Sequence, residues 1–322
     1  MYRRIAVALD AGPDSRIALR WAVSIARRAN CPLDLVRVAV PAVHGGELYA
    51  ASLLSDEDVE RMELESMQSL RDVADEVSSA GVRATPVVLR GSVPSVLADH
   101  LRENEVDLVV MTTHDRGRLE RLLLGSVSSA VMRHAHIPAL LIRAHESDAG
   151  AHTGVDEEPS VQRILVPLDG SPFGDQILAP ATTLARLMNA RLTLLSIVEP
   201  MLANAALATG IDGVPAAPLV ARPTDAAGHE EQTALESATL ERTAARIRQL
   251  HLSVDTQVLI DARPAHAIVD FASRHHIDLI AMTTHGRGAL QRFVAGSVSE
   301  AVLHTAAAPH MLLYRPQNPA PS

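Results

Sequence analysis

The sequence predicts two tandem, open, doubly wound α/β domains, each on a five-stranded parallel sheet. Three observations carry this expectation. Apolar β-type runs alternate with helical periodicity through both halves of the chain, the pattern of a parallel sheet covered by helices on both faces. Apolar residues make up 47% and aromatics only 2%, so the cores must be built from Ala, Val, Leu and Ile, which suit buried parallel strands. The chain also repeats itself, and 322 residues fit two domains of about 150 each.

The repeat is read directly. Ile5-Ala6-Val7-Ala8-Leu9-Asp10 matches Ile164-Leu165-Val166-Pro167-Leu168-Asp169 at an offset of 159. Met111-Thr112-Thr113-His114 matches Met282-Thr283-Thr284-His285 at an offset of 171. Leu124-Gly125-Ser126-Val127-Ser128 matches Ala295-Gly296-Ser297-Val298-Ser299, and Pro138 matches Pro309, at that second offset. The additional residues of the second copy fall most naturally at 201–228, an Ala-, Pro- and Gly-rich stretch that reads as a long loop. Domains are expected at 1–146 and 161–316, with a polar linker at 147–160 and a tail at 317–322.

In the first copy, strands are expected at 5–9, 33–40, 83–89, 108–111 and 139–142. The helix at 15–29 carries Ile17, Leu19, Trp21, Val23 and Ile25 and reads as mostly buried. The helix at 56–80 is charged and amphipathic, with Gly81 as its stop. Further helices are expected at 94–104 and 126–134. The second copy places strands near 164–168, 192–198, 256–260, 279–282 and 311–314. The apolar last strands of the two copies would be exposed edges alone, so the copies are expected to pack as an internal pseudo-dimer.

Composition excludes several functions. A net charge of −9 and a pI near 5.9 argue against nucleic acid and against an anionic membrane surface. Cys31 is the sole cysteine, so an intrachain disulfide and a cysteine-based zinc site are ruled out. No signal peptide and no apolar run long enough to span a bilayer is found, and a cytoplasmic protein is expected. All 29 basic residues are Arg. The chain therefore lacks the lysine of a P-loop, of a Schiff-base enzyme or of a kinase strand.

In such sheets ligands bind beyond the carboxyl ends of the strands, near the switch in strand order. In the second copy the first strand ends in Asp169-Gly170-Ser171, and the fourth in Met282-Thr283-Thr284-His285-Gly286-Arg287-Gly288. Nine residues separate Gly286 from Gly296, which Ser297 follows. Glycines allow main-chain amides to approach phosphate oxygens closely. Ser297 opens a helix with Glu300 three residues on, a capping-box pattern at an end that favours anions. Arg287 and Arg292 could add charge, and Asp169 could accept hydrogen bonds from a base or ribose. Each feature also has a structural reading: Ser297 as a helix cap, Asp169 as a strand terminator, the arginines as solvated surface. Among the histidines, His134 with His136 and His275 with His276 lack the spacing of a zinc pair, and no metal site is expected. His114 and His285 recur at one repeat position, which suits loop orientation. No nucleophile elbow and no catalytic base is found.

At these residues the chain resembles the universal stress protein family. The opening strand through Asp169-Gly170-Ser171 resembles that family's start. Met282 to Val298 resembles its ATP-binding signature, Gly-x-x-Gly-x9-Gly-Ser/Thr, with Thr283 in place of the first glycine. The resemblance implies a Rossmann-like fold of the adenine nucleotide alpha hydrolase type. It also implies ATP, with Mg²⁺, as the ligand. Carried over by position, Pro167, Asp169 and Ile197 would line the adenine and ribose end, and Met282 and Thr283 would sit near the sugar. Gly286, Gly296, Ser297, Val298 and Ser299 would contact phosphates. The corresponding first-copy set is Ala8, Asp10, Val38, Met111, Thr112, Gly125, Ser126, Val127 and Ser128. There Ala8 replaces Pro167, Ala11-Gly12 replaces Gly170-Ser171, and Asp115 stands opposite Gly286. A carboxylate beside a triphosphate is repelled, so the first copy is expected to bind weakly or not at all. The implied function is an ATP-binding regulatory protein of the stress response with an unidentified protein partner, at most a slow ATPase or self-phosphorylating protein. The alternative is an interaction module that binds no nucleotide. Association of two chains into a homodimer is left open.

Overall fold

The apolar runs become ten strands because their residues can bury both faces only within a covered parallel sheet. In the computed structural model, residues 1–10, 12, 14–40, 55–91, 93–113, 131, 136–143, 158–200, 226–284, 297–305 and 309–316 are described. The first half contains β1 (Ile5–Ala8), α1 (Ser15–Ala29), β2 (Leu33–Val40), α2 (Asp56–Ser79), β3 (Ala84–Arg90), α3 (Val93–Glu103), β4 (Leu108–Thr113) and β5 (Ala139–Arg143). The second contains β6 (Arg163–Pro167), a 3₁₀ turn (Gly174–Ile177), α4 (Leu178–Met188), β7 (Arg191–Val198), α5 (Ala226–Arg248), β8 (Val254–Ile260), α6 (Pro264–Arg274), β9 (Leu279–Thr283), α7 (Ser297–Leu303) and β10 (His310–Tyr314). The expected helix at 126–134 and loop at 201–228 fall almost wholly outside the described residues.

Local chemistry sets the boundaries. Helix α2 opens on a capping box: the Ser55 hydroxyl accepts the Asp58 N–H at 3.1 Å, and the Asp58 carboxylate accepts the Ser55 N–H at 3.2 Å. Helices α1 and α4 both stop at an asparagine in the left-handed region, Asn30 at φ 51° and Asn189 at φ 56°. Pro180, in the first turn of α4, has no N–H for the Gln176 carbonyl. That absence accounts for the tighter 3₁₀ turn just before it.

All strands join one ten-stranded sheet in the order β3-β2-β1-β4-β5-β10-β9-β6-β7-β8. Within each half neighbouring strands are parallel. The halves meet where β5 and β10 pair antiparallel, with Leu141 opposite Met311, Leu140 opposite Leu312 and Ala139 opposite Leu313. This is the expected pairing of the last strands. One apolar layer covers one sheet face through both halves, drawing on α1, α2, α4 and α5. A second layer, with α3, α6 and α7, covers the other face.

Contacts beside the seam reinforce it. The His310 ring accepts the Arg143 N–H through Nδ1 at 3.2 Å and meets Trp21 edge-on, with ring centres 4.7 Å apart. The Arg143 guanidinium donates to the Leu303 carbonyl at the end of α7. On the helix layer, Glu158 receives Arg27 at 3.1 Å and Arg28 at 2.8 Å.

Two outcomes test this packing. Leu312 is fully buried in the seam, so Leu312→Ala should cost about 2–5 kcal/mol of unfolding free energy in urea denaturation. Trp21 is the sole tryptophan, so its emission reports the seam directly in that titration. Burial, with Asp107 adding to it against the opposing pull of Arg83, pushes the Cys31 thiol up to about 11. Native protein at pH 7.5 should therefore resist thiol alkylation, and unfolded protein should react fully.

Candidate functional site

Each half has strand order 3-2-1-4-5, which reverses direction between its first and fourth strands. In the second half that switch lies between β6 and β9. Their ladder comprises only Ile164 with Leu279 and Leu165 with Ile280, although β6 runs to Pro167 and β9 to Thr283. The ladder therefore stops short of both carboxyl ends, at the switch point whose crevice takes ligands in such sheets. Proline chemistry accounts for the early stop. The Leu168 N–H donates to the Leu195 carbonyl of β7 at 2.8 Å, so Pro167 turns its main-chain groups the other way, toward β9. It has no N–H to continue that ladder. In the first half Ala8 takes this place, and the β1–β4 ladder runs one pair further, to Val7 with Val110.

Of the expected site residues, Met282 on β9 lies in one apolar cluster, and Ile197 near the end of β7 and Val298 on α7 pack against it. Thr283 is half-buried, and the next residue, Thr284, is fully buried, with its N–H on the Tyr314 carbonyl at 2.9 Å. Ser299 is buried and its hydroxyl donates to the Thr284 carbonyl at 3.4 Å, which fastens α7 to the end of β9. In the first half, Val38 and Thr112 are half-buried and Met111 is buried at the corresponding strand ends. Gly125, Ser126, Val127 and Ser128 lie outside the described residues, as do Gly286, Gly296, Asp115, Arg287, Arg292, His114 and His285, and so does the side chain of Ser297.

At the mouth of the second-half crevice Asp169 is half-buried. Its Oδ1 accepts the Ser171 N–H at 3.0 Å and the Ser171 hydroxyl at 2.6 Å. The Ser171 Oγ in turn accepts the Gly174 N–H at 2.9 Å. Asp175, one residue on, faces Arg246 of α5 across a cleft of about 300 Å³. That cleft lies between α4 and α5, away from the β6–β9 gap. Burial raises the Asp175 carboxyl above the ordinary range, with Asp169 adding to the shift and Arg246 opposing it.

The first half is built differently here. Asp10 is exposed, and its Oδ1 accepts the Gly12 N–H at 2.8 Å. Arg37 stands beside it and donates to the Asp10 carbonyl at 3.4 Å, where the second half has buried Ser196. Sequence reasoning quoted Ser171 only as part of the opening turn, without a role, and passed over Gly174, Asp175 and Arg37. The available signal was the Asp-Gly-Ser turn, in which the serine can bond back to the aspartate two residues before it.

Among the described residues no group of three or more His, Cys, Asp or Glu could hold a metal ion, and no helix is long and apolar enough to cross a membrane. Fold and site define a tandem doubly wound α/β protein with a first-to-fourth strand switch in each half. The universal stress protein family model matches residues 1–143 and 160–313, and the chain belongs to that family. It is 28% identical to a universal stress protein of Mycobacterium tuberculosis, covering 98% of this chain and 96% of the relative. A universal stress protein of Mycolicibacterium smegmatis is 27% identical, covering 96% of each chain. The crystal structure of a universal stress protein from Archaeoglobus fulgidus superimposes with a TM-score of 0.66 at 15% identity, covering 97% of this chain and 96% of that one.

The raised Asp175 carboxyl makes a signed prediction. The folded chain holds this proton at pH values where the unfolded chain has released it. The resulting stability is fully present below the ordinary carboxylate range and is lost as pH rises through the raised folded value. Asp175→Asn should therefore melt higher than the unaltered protein at neutral pH. The difference should close as the solution is acidified below the ordinary range, as read from melting temperature against pH.

Proposed function

We propose that the second half, residues 161–316, holds an adenine nucleotide, ATP with Mg²⁺, in the β6–β9 crevice. The strand-order reversal between β6 and β9, with Pro167 ending β6 and Asp169 just beyond it, carries this reading, because α/β proteins take ligands at such a switch point. Asp169, Pro167 and Ile197 would receive the nucleoside, with Met282 and Thr283 beside the sugar. Main-chain amides of the segment from Gly286 to Gly296, with Ser297, Val298 and Ser299, would receive the phosphates. The chain has no lysine to neutralise that charge, and no acidic cluster among the described residues offers Mg²⁺ a separate seat. The metal would thus travel with the phosphates and offset their charge there. The first half, residues 1–146, would bind weakly or not at all: its carboxylate is exposed and its β1–β4 ladder runs one pair longer.

Nucleotide binding of this kind suits a regulatory role in the stress response. A ligand bound in the second half would shift the population of surfaces offered to a protein partner. The competing reading is an interaction module without nucleotide, and Thr283 at the crevice favours it by placing a side chain where the family signature has glycine.

Protein denatured after purification should release about one adenine nucleotide per chain by chromatography, and ATP with Mg²⁺ should raise its melting temperature. Asp169→Ala should weaken ATP about ten- to hundredfold in calorimetric titration, the scale of losing hydrogen bonds to a charged group. No released nucleotide together with no thermal shift would leave the interaction module as the better account.

A further inference from the structure

We propose that Ser171 is a positioning residue for nucleotide binding: it fixes the Asp169 carboxylate in a receiving orientation, and its absence from the first half helps to make that half the weaker site. The inference rests on the nucleotide reading of the β6–β9 crevice.

The geometry is specific. Ser171 is 6% exposed, so solvent does not compete effectively for its hydroxyl. That hydroxyl is used in both senses, donating to Asp169 Oδ1 at 2.6 Å and accepting from Gly174 N–H at 2.9 Å. The Ser171 carbonyl accepts the Asp175 N–H at 3.0 Å, which holds the turn itself. With the Ser171 N–H added at 3.0 Å, Asp169 Oδ1 receives two donors from one residue. A carboxylate held by two donors at one oxygen has its side-chain torsions set, so the direction of its second oxygen is set as well. Gly174 completes the seat. A Cβ at that position would lie 2.4 Å from Asp169 Oδ1, closer than any side chain tolerates, and 3.3 Å from Ser171 Oγ, a tight contact.

The first half supplies the comparison within one molecule. Gly12 stands where Ser171 does, and Ser15 where Gly174 does. Serine and glycine have exchanged places. The Ser15 hydroxyl is directed to the carbonyls of Gly12 at 2.8 Å and Asp10 at 3.2 Å, not to the carboxylate. The Asp10 carboxylate accepts the Gly12 N–H at 2.8 Å, and Asp10 is exposed. The serine hydroxyl contact that Asp169 receives thus has no counterpart in this turn of the first half.

The test titrates ATP, ADP and adenosine into the full chain, into Ser171→Ala and Ser171→Gly, and into both again with Asp169→Ala. Serine removal should weaken all three ligands by the same factor, about two- to tenfold, the scale of immobilising one side chain. In the Asp169→Ala background it should change nothing, because the residue acts only through that carboxylate. A structural role alone would weaken binding equally in both backgrounds, and that result would overturn the inference. Glycine is the residue of the first half, and alanine keeps the Cβ, so folding of either variant suffices for the cycle. Should the unaltered protein bind no nucleotide, the proposed function fails and takes this inference with it. Should it bind while both serine variants bind equally well, this inference alone fails.

Discussion

The antiparallel pairing of β5 with β10 is the constraint on which the whole architecture depends. A five-stranded sheet of either half alone would present its last strand, Ala-Leu-Leu-Ile-Arg or His-Met-Leu-Leu-Tyr, as an apolar edge. Such edges recruit other chains. Pairing them buries Leu140, Leu141, Met311, Leu312 and Leu313 almost completely. It also lets one apolar layer run unbroken beneath α1 and α4. The remaining sheet edges are β3 and β8, and β3 carries Pro86, a residue that suits an edge because it cannot donate to a further ladder.

The repeats preserve this frame and diverge where side chains meet. Arg16 of α1 bonds Glu76 of α2 at 2.9 Å. The equivalent residues of the second half are Asp175 and Arg246, with the charges exchanged. Each helix pair thus matches within its own half, and a cross-paired arrangement would set like charges together. Similarly, buried Asp34 lies 3.4 Å from both Arg4 and His100, whereas the second half has Thr193 and Phe271 at those places, with Phe271 stacked on His275 at 4.0 Å. Like-charge juxtaposition and unmatched burial disfavour exchange between similar repeats.

Much of the frame was legible because it follows from periodicity. The limits of α1 and β2 were read to the residue, since apolar spacing, Asn30 and Pro32 mark them. Strand ends elsewhere moved by one or two residues: β4 extends through Thr112 and Thr113, which pair with Ile142 and Arg143 and have no apolar signature. The site was legible as a set of strand ends, and less so as chemistry. Pro167 reads in sequence as a substitution, but its effect depends on which neighbour its missing N–H faces. Ser171 reads as part of a turn, and only the folded turn brings its hydroxyl between a carboxylate and an amide. The exchange of Gly12/Ser15 for Ser171/Gly174 preserves composition, so no compositional signal marks it.

The seam also decides how the two crevices relate. Strands are parallel within each half and antiparallel across β5 and β10, so the carboxyl ends of the two halves lie on opposite edges of the sheet. Four strand spacings separate the β6–β9 gap from the β1–β4 gap, roughly 19 Å across the sheet, before the offset between edges is counted. A ligand in one crevice cannot touch the other. Any coupling must therefore pass through packed elements that both halves share. Arg143 is such an element: it ends β5 of the first half, and its guanidinium rests on the Leu303 carbonyl that ends α7 of the second. A cation at a helix carboxyl end stabilises that helix, and Ser299 of the same helix is fastened to the end of β9. The first half thus supports the wall of the second half's crevice through one contact to the main chain.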